Sequence, residues 1–488
     1  MREEKYDILI YMSDQHTADI MGAMGDPVVR TPNLDRIAKE AVVFDNAYTS
    51  CPLCAPARAS FMTARYPSRI GVFGNDDAFS SQEPTFVHSL SAGGYETVLC
   101  GRMHFVGEDQ RHGFKKRIAR DISPNYWGNP SEEREDLGDF GRTLYQKYCL
   151  EIIGTGDSPV LAYDRYVTET AKEHLKKDCD SPQMILVGTY GPHFPYVAPE
   201  DKFNYYREKL QGSVGGEQPD FGISAVASKQ QEADREDIVN LRAAYYGMIE
   251  VMDQQIGEVY GAFREYLARN GRKGIFVYMS DHGDQIGVKK MYGKQTFFEY
   301  SCKIPLMIRV DGIEGKRVGG PVSIMDVGCT LCGLTGCQPL PIADGVDQSG
   351  AVYTGQACPR PVLSEFFEPG GDGLCYAGTM VRDSQFKFIT YDGFEREDLL
   401  FNLEADPGER ENVIDREPLE AQRLRQAAGE KNKELAAAYG RLRENQIKNK
   451  FLNQCGRHYK DKNGETWLAP EACRTVETRF KLEKYRRK

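Results

Sequence analysis

Two stretches far apart in the chain read almost the same, Tyr11-Met-Ser-Asp-Gln15 and Tyr278-Met-Ser-Asp-His282, and each closes a short apolar run. Four such runs, Tyr6–Ser13, Glu96–Cys100, Met184–Tyr190 and Gly274–Ser280, are rich in β-branched and aromatic residues without polar alternation. That is the pattern of strands buried on both faces in a largely parallel sheet. The helical patterns Asn33–Glu40, Asp164–Lys176 and Asp237–Asn270 supply the crossovers such a sheet needs. The expected fold is an α/β sandwich around a central, mostly parallel sheet.

Open α/β sheets bind ligands beyond the carboxyl ends of their strands, so the residues that follow each run matter most. They are Asp14-Gln15-His16, Gly101-Arg102-Met103-His104, Gly191-Pro192-His193 and Asp281-His282-Gly283. Metal-ligating and proton-transferring side chains recur at all four ends. The matching first and last ends predict two strands that meet at one ion, each donating an oxygen or nitrogen ligand. Helix N-caps would account for Asp14 and Asp281 singly, but not for the shared wording. His16, His88, His112, His174 and His458 lack such placement and are read as structural.

With 488 residues, the chain exceeds one small core and suggests a large domain with a smaller one. Hydrophobic residues are 40% and charged residues 27%, a balance ordinary for a soluble globular chain. Lys+Arg 62 against Asp+Glu 72 leaves a net charge of −10, which argues against a nucleic-acid partner. No apolar run has membrane-spanning length, and the charged start Met1–Lys5 is followed by only a short strand without a small-residue cleavage site. The expectation is a cytoplasmic protein with no membrane partner.

The composition shifts near Gly350, which divides the expected domains into 1–350 and 351–488. Pro359–Glu368, Cys375–Arg382 and Phe386–Tyr391 read as short antiparallel strands, followed by the polar block Asp398–Val413 and a long charged helix, about Glu417–Gln446. The basic tail ending in Lys481–Lys488 suits packing or a contact between copies in a homo-oligomer.

Thirteen scattered cysteines fit reduced thiols better than a disulfide framework. Cys51-x-x-Cys54 and Cys329-x-x-Cys332 are both CxxC pairs, but a zinc ribbon wants its pairs roughly 15–20 residues apart. A thioredoxin-like pair wants a compact βαβ setting, which the large surrounding domain does not offer. Cys329 and Cys332 fall in an apolar small-residue stretch and read as helix core. Cys54 is different. Cys54-Ala-Pro-Ala-Arg58 resembles the sulfatase signature Cys-x-Pro-x-Arg. Similar landmarks in family order are Asp14-Gln15, Thr31-Pro-Asn-Leu-Asp35, Gly101–His104, Gly191–Pro195, Ser280–Gly283, Gly293-Lys294, Glu299–Pro305 and the Leu-Phe-Asn-Leu-Glu block that begins at Leu400.

The resemblance implies an alkaline-phosphatase-like fold, with a smaller C-terminal α+β subdomain built on an antiparallel sheet, and sulfuric ester hydrolase activity. It also implies that a sulfatase-maturating enzyme, a transient partner, oxidises Cys54 to formylglycine. Asp14, Gln15, Asp281, His282 and converted Cys54 would hold Ca2+, with Mn2+ or Mg2+ as alternatives, because hard oxygen ligands suit such ions. Gln15 stands where many sulfatases carry aspartate, which lowers the ligand charge. Arg58 would hold the formylglycine hydrate, and Arg102 stands where many relatives carry lysine. His104 would be the base that removes the hemiacetal proton and expels sulfate. His193 and Lys294 would bind sulfate and protonate the departing oxygen, and Asn75 would add a hydrogen bond.

Within the family, Cys100–Phe114 and Arg120-Asp-Ile-Ser-Pro124 look like the choline-sulfatase and phosphonate-monoester-hydrolase branch. The tail Lys481–Lys488 is not similar to that of choline-sulfatase, which argues against choline sulfate, and the expected substrate is an aryl, steroid or carbohydrate sulfate ester. Tyr126, Trp127, Phe194, Tyr196 and Tyr292 could line its pocket or pack in the core. The alternatives are a phosphonate monoester or phosphodiester hydrolase on this scaffold, a choline-sulfatase, and a non-catalytic metal-binding relative with Cys54 unconverted.

Overall fold

The computed structural model describes residues 5–123, 137, 140–141, 145–212, 219–369, 375–456 and 473. Tyr126, Trp127, His458 and Lys481–Lys488 lie outside them. In chain order the first strands are β1 (Asp7–Asp14), β2 (Val42–Tyr48), β3 (Glu96–Gly101), β4 (Lys116–Ala119), β5 (Ile153–Thr155) and β6 (Gln183–Pro192). They continue as β7 (Tyr196–Ala198), β8 (Gly274–Ser280), β9 (Lys303–Ile304), β10 (Leu306–Val310) and β11 (Lys316–Ser323). A nine-stranded sheet runs β11-β2-β10-β8-β1-β6-β3-β4, with β9 pairing beside β2 and with β5 and β7 forming a separate pair. The four runs legible in the sequence become β1, β3, β6 and β8, adjacent and parallel. β10 is antiparallel to both its neighbours, so the sheet is mixed around a parallel centre.

β1 shows why these runs are apolar throughout. Leu9 and Tyr11 join a core with the helices Pro32–Glu40, Pro159–Leu175 and Arg235–Asn270. Ile8, Ile10 and Met12 face the opposite layer, with the helices Cys54–Thr63, Phe86–Ala92 and Asp326–Thr335. With helices on both faces, neither side of the strand meets water. The helix Arg235–Asn270 begins at a reciprocal cap between Asp234 and Asp237 and ends at Gly271, whose φ of 61° suits glycine. Cys329 and Cys332 lie in the helix Asp326–Thr335, Cys332 in its core and Cys329 half-buried against it, and the described cysteines are free thiols.

The second sheet is antiparallel, in the order β12 (Val362–Pro369), β13 (Cys375–Arg382), β14 (Phe386–Tyr391) and β15 (Leu399–Asn402). β12 begins later than the sequence suggests, after Pro359 and Pro361, which have no N–H to give a ladder. β15 lies within the polar block and was not anticipated. The helix Pro418–Gly456 runs past Gln446, seating Leu435, Ala438 and Leu442 near Phe73 and Phe367. Residue 350 falls inside the helix Ser349–Thr354, whose Ala351 and Val352 belong to the large-sheet core. Among the described residues, no helix is long and apolar enough to cross a membrane.

Candidate active site

The carboxyl ends of β1, β3, β6 and β8 converge with the start of the helix Cys54–Thr63. Register places Ser13 opposite Ser280, so Asp14 and Asp281 emerge side by side. Gln15 follows with φ +70°, and its N–H donates to Asp281 Oδ1 at 3.0 Å. Beyond β3, the chain folds across β6, where Arg102 N donates to Gly188 O at 2.8 Å. A Cβ on Gly188 would stand 1.9 Å from Arg102 O, so only glycine permits this approach.

Cys54 is fully buried, with Lys294 Nζ at 3.0 Å, His282 Nε2 at 3.1 Å and Asp14 Oδ1 at 3.8 Å from its sulfur. Burial pushes the thiol up, but Lys294 and His282, with hydrogen bonds from His104 and His193, bring it well below its ordinary value. Cys51, three residues earlier, goes the other way because burial dominates there. The CxxC pair is therefore chemically split: one thiolate-prone sulfur and one inert thiol.

Arg58 does not approach that sulfur through any hydrogen bond of its fork. Its Nε donates to Asp281 Oδ2 at 2.8 Å, Nη2 to Asp14 Oδ2 at 3.0 Å and Nη1 to Arg102 O at 3.0 Å. It ties the two metal-type carboxylates together. Arg102 Nε also donates to Asp14 Oδ2, at 2.7 Å, with the guanidinium 4.3 Å from the Tyr190 ring. Burial and the Cys54 sulfur push Asp14 up, yet Arg102, Lys294 and Arg58 together hold it below the usual carboxylate range.

Three histidines face this centre with different tautomers, set by their partners. His282 Nδ1 lies 3.1 Å from Gly283 O and His193 Nδ1 lies 2.7 Å from Phe194 O. A carbonyl can only accept, so each ring carries a proton on Nδ1 and turns Nε2 toward the Cys54 sulfur, which His282 Nε2 meets at 3.1 Å. Arg102 Nη2 lies 3.1 Å from His104 Nδ1. Guanidinium can only donate, so neutral His104 carries its proton on Nε2. Burial and Lys294 lower His193 to about 4.

Ligand atoms of Asp14, Cys54, Asp281 and His282 lie within 4.8 Å of one another. Two carboxylate oxygens and an imidazole lone pair fit a hard or borderline divalent cation. The Lys294 ammonium lies beside these oxygens, 2.8 Å from Gln15 Oε1 and 4.0 Å from Asp14 Oδ1. Gln15 Nε2 donates at 2.5 Å to Asp284, a buried acid that the sequence reading missed.

A cavity of about 240 Å³ opens above Cys54, lined by Asn75, Arg102, His104, His193 and Lys294 of the expected residues. Asn75 Oδ1 accepts from Ala55 N at 3.0 Å, capping the helix that carries Cys54. Of the aromatic residues singled out, Phe194 lines the cavity, whereas Tyr196 and Tyr292 are buried elsewhere in the core. Tyr145, Gln146, Tyr190, Ser123, Asp76 and Gln295 also line it and were not anticipated. The histidines read as structural behave so: His16 bonds Tyr278 and Ile20, His88 caps a helix, His174 meets Gln183, and His112 stacks on Phe79.

Residues 7–337 match the family model described as Sulfatase. The chain belongs to the sulfatase family. This sulfatase is 33% identical over 439 residues to the choline-sulfatase of Rhizobium meliloti (strain 1021), covering 85% of this chain and 83% of that one. It is 27% identical to the arylsulfatase of Clostridium perfringens (strain 13 / Type A), covering 85% and 91%. In fold, it is similar to the phosphonate monoester hydrolase of Agrobacterium radiobacter, with a TM-score of 0.69 at 23% identity over 89% of this chain and 96% of that one. A putative sulfatase from Bacteroides thetaiotaomicron gives 0.66 at 21%, covering 90% and 94%. The alkaline-phosphatase-like fold and sulfuric ester hydrolase class expected from the sequence hold.

Proposed function

We propose that the chain hydrolyses sulfate monoesters, R–O–SO3− plus water giving ROH and sulfate, at position 54 after a sulfatase-maturating enzyme has oxidised Cys54 to formylglycine. The observation that carries the reading is Cys54 itself, a buried thiolate-prone sulfur on the cavity floor between Lys294 and His282. Its converted form, as a hydrate, supplies the attacking oxygen and a second hydroxyl whose deprotonation expels sulfate. Asp14, Gln15, Asp281 and His282 would hold a divalent cation, Ca2+ with Mn2+ or Mg2+ as alternatives, which supplies Lewis acidity toward a sulfate oxygen.

The chain's own residues do the remainder. Arg58 fixes Asp14 and Asp281 as a pair. Arg102 and Lys294 offset the sulfate charge, and His193 and Lys294 protonate the departing oxygen. His193 is neutral without an anion, and an arriving sulfate favours its protonated form. His104, on the cavity wall, is the base that takes the proton from the second hydroxyl. The cavity is below the roughly 300–1,000 Å³ usual for drug-sized ligands. An aryl or single sugar ring suits it better than a steroid.

The test is mass spectrometry of the Cys54 peptide after co-expression with a maturating enzyme, alongside release of 4-nitrophenol from its sulfate ester. A persistent thiol with no turnover refutes the reading in favour of a non-catalytic relative. Faster cleavage of an aryl phosphonate ester reassigns the substrate class, and choline sulfate in the same panel tests the small cationic alcohol.

A further inference from the structure

We infer that Asp121 is the positioning residue that sets His104 for sulfate release, an inference that rests on the function proposed above. Asp121 follows β4 and is fully buried. It stands behind the cavity wall that Arg102, His104 and Ser123 form. Its Oδ2 accepts from Met103 N at 3.1 Å and His104 N at 2.8 Å. Its Oδ1 accepts from Ser123 N at 2.9 Å and faces Arg102 Nη1 at 3.4 Å.

These contacts fall where β3 has ended and the chain must turn. His104 has φ +53°, the left-handed region. That conformation is strained for an ordinary L-residue, and two consecutive N–H groups held by one carboxylate offset the strain through charge-assisted hydrogen bonds. The same carboxylate reaches the ring by a second route. Arg102 gives Nη1 to Asp121 and Nη2 to His104 Nδ1, so backbone and imidazole of His104 are anchored to one group.

A carboxylate that only balanced the buried Arg102 charge would need no hold on two backbone amides. Asp121→Asn keeps one acceptor and loses the charge, whereas Asp121→Glu keeps the charge and shifts the acceptor by a methylene. A displaced His104 would spare attack on the ester and slow release. A misplacement near 1 Å costs on the order of 100-fold.

The experiment is rapid mixing of each variant with 4-nitrophenyl sulfate, at formylglycine content matched by mass spectrometry. The expected result for both variants is a first-turnover burst of nitrophenol within about threefold of the parent, then a steady state lower by on the order of 10- to 100-fold. Sulfate mass should accumulate on the peptide carrying residue 54. If Asp121→Asn fails to fold, Asp121→Glu decides alone. First-turnover and steady-state rates falling in parallel, or Asp121→Glu turning over at the parent rate, overturns the role of Asp121. A converted parent that releases no nitrophenol overturns the proposed function instead.

Discussion

Replacing Arg58 tests how the centre is assembled without requiring any chemistry. Its fork satisfies Asp281, Asp14 and the Arg102 carbonyl at 2.8, 3.0 and 3.0 Å, and all three side chains are buried. In Arg58→Met, two neighbouring carboxylates lose their shared cation. Removing one partner of a buried pair costs about 3–5 kcal/mol, because the charge left behind has no water to turn to. Arg58→Lys retains the charge but has one ammonium for three acceptors set in different directions, and the lost charged hydrogen bonding is worth about 1.5–3 kcal/mol. Both are large fractions of a native margin of about 5–15 kcal/mol. Urea unfolding at pH 7 in a Cys54→Ala background measures them without interference from conversion. Adding Asp281→Asn to Arg58→Met should cost less than the sum of the single changes, since the acid that suffered has become neutral. An Arg58→Met protein within about 0.5 kcal/mol of its parent would refute the argument.

His104→Ala should allow one sulfate to transfer and then stop; mass spectrometry of the peptide carrying residue 54 and a single-turnover nitrophenol burst check it, and full turnover removes His104 from the release step. Calcium at about 100 times its Kd should stabilise the unconverted protein by about 2.7 kcal/mol, and Asp14→Asn or Asp281→Asn should abolish the rise in Tm seen by scanning calorimetry. Glu368 places one oxygen 2.9 Å from Lys229 and the other without a partner among the described residues, and burial raises its carboxyl to about 7. The unfolded chain releases that proton first, so Glu368 makes stability fall as pH rises from the ordinary carboxylate value toward 7 and leaves it level above. Glu368→Gln should flatten urea midpoints over that window; an unchanged slope sinks the assignment.

The parts of this molecule that the sequence discloses are those that follow strand periodicity. An apolar run announces a buried strand, and the position just past its end announces a side chain in the site, which is how Asp14, His104, His193 and His282 were found together. β10 was missed because Leu306–Val310 is short and alternates direction with its neighbours, and no local pattern reports whether a strand runs with or against the next. β15 was missed because Leu399–Asn402 is flanked by charged residues that belong to its turns.

Asp121, Asp164 and Asp284 escaped for a different reason. Each acts on backbone N–H groups: Asp121 on Met103 and His104, Asp164 on Tyr190 and Gly191, and Asp284 on Ile286 and Gly293. Any acid in any loop can accept from a main-chain amide, and the chain has 72 acids, so the residue type carries no signal. The consequence is an asymmetry in how the site tolerates change. Residues that line the cavity are fixed by what they touch, while the carboxylates behind them are fixed by where the backbone turns. A substitution that preserves charge at Asp121 therefore should not preserve function unless it also preserves the distance to His104 N, and Asp121→Glu tests that ordering directly.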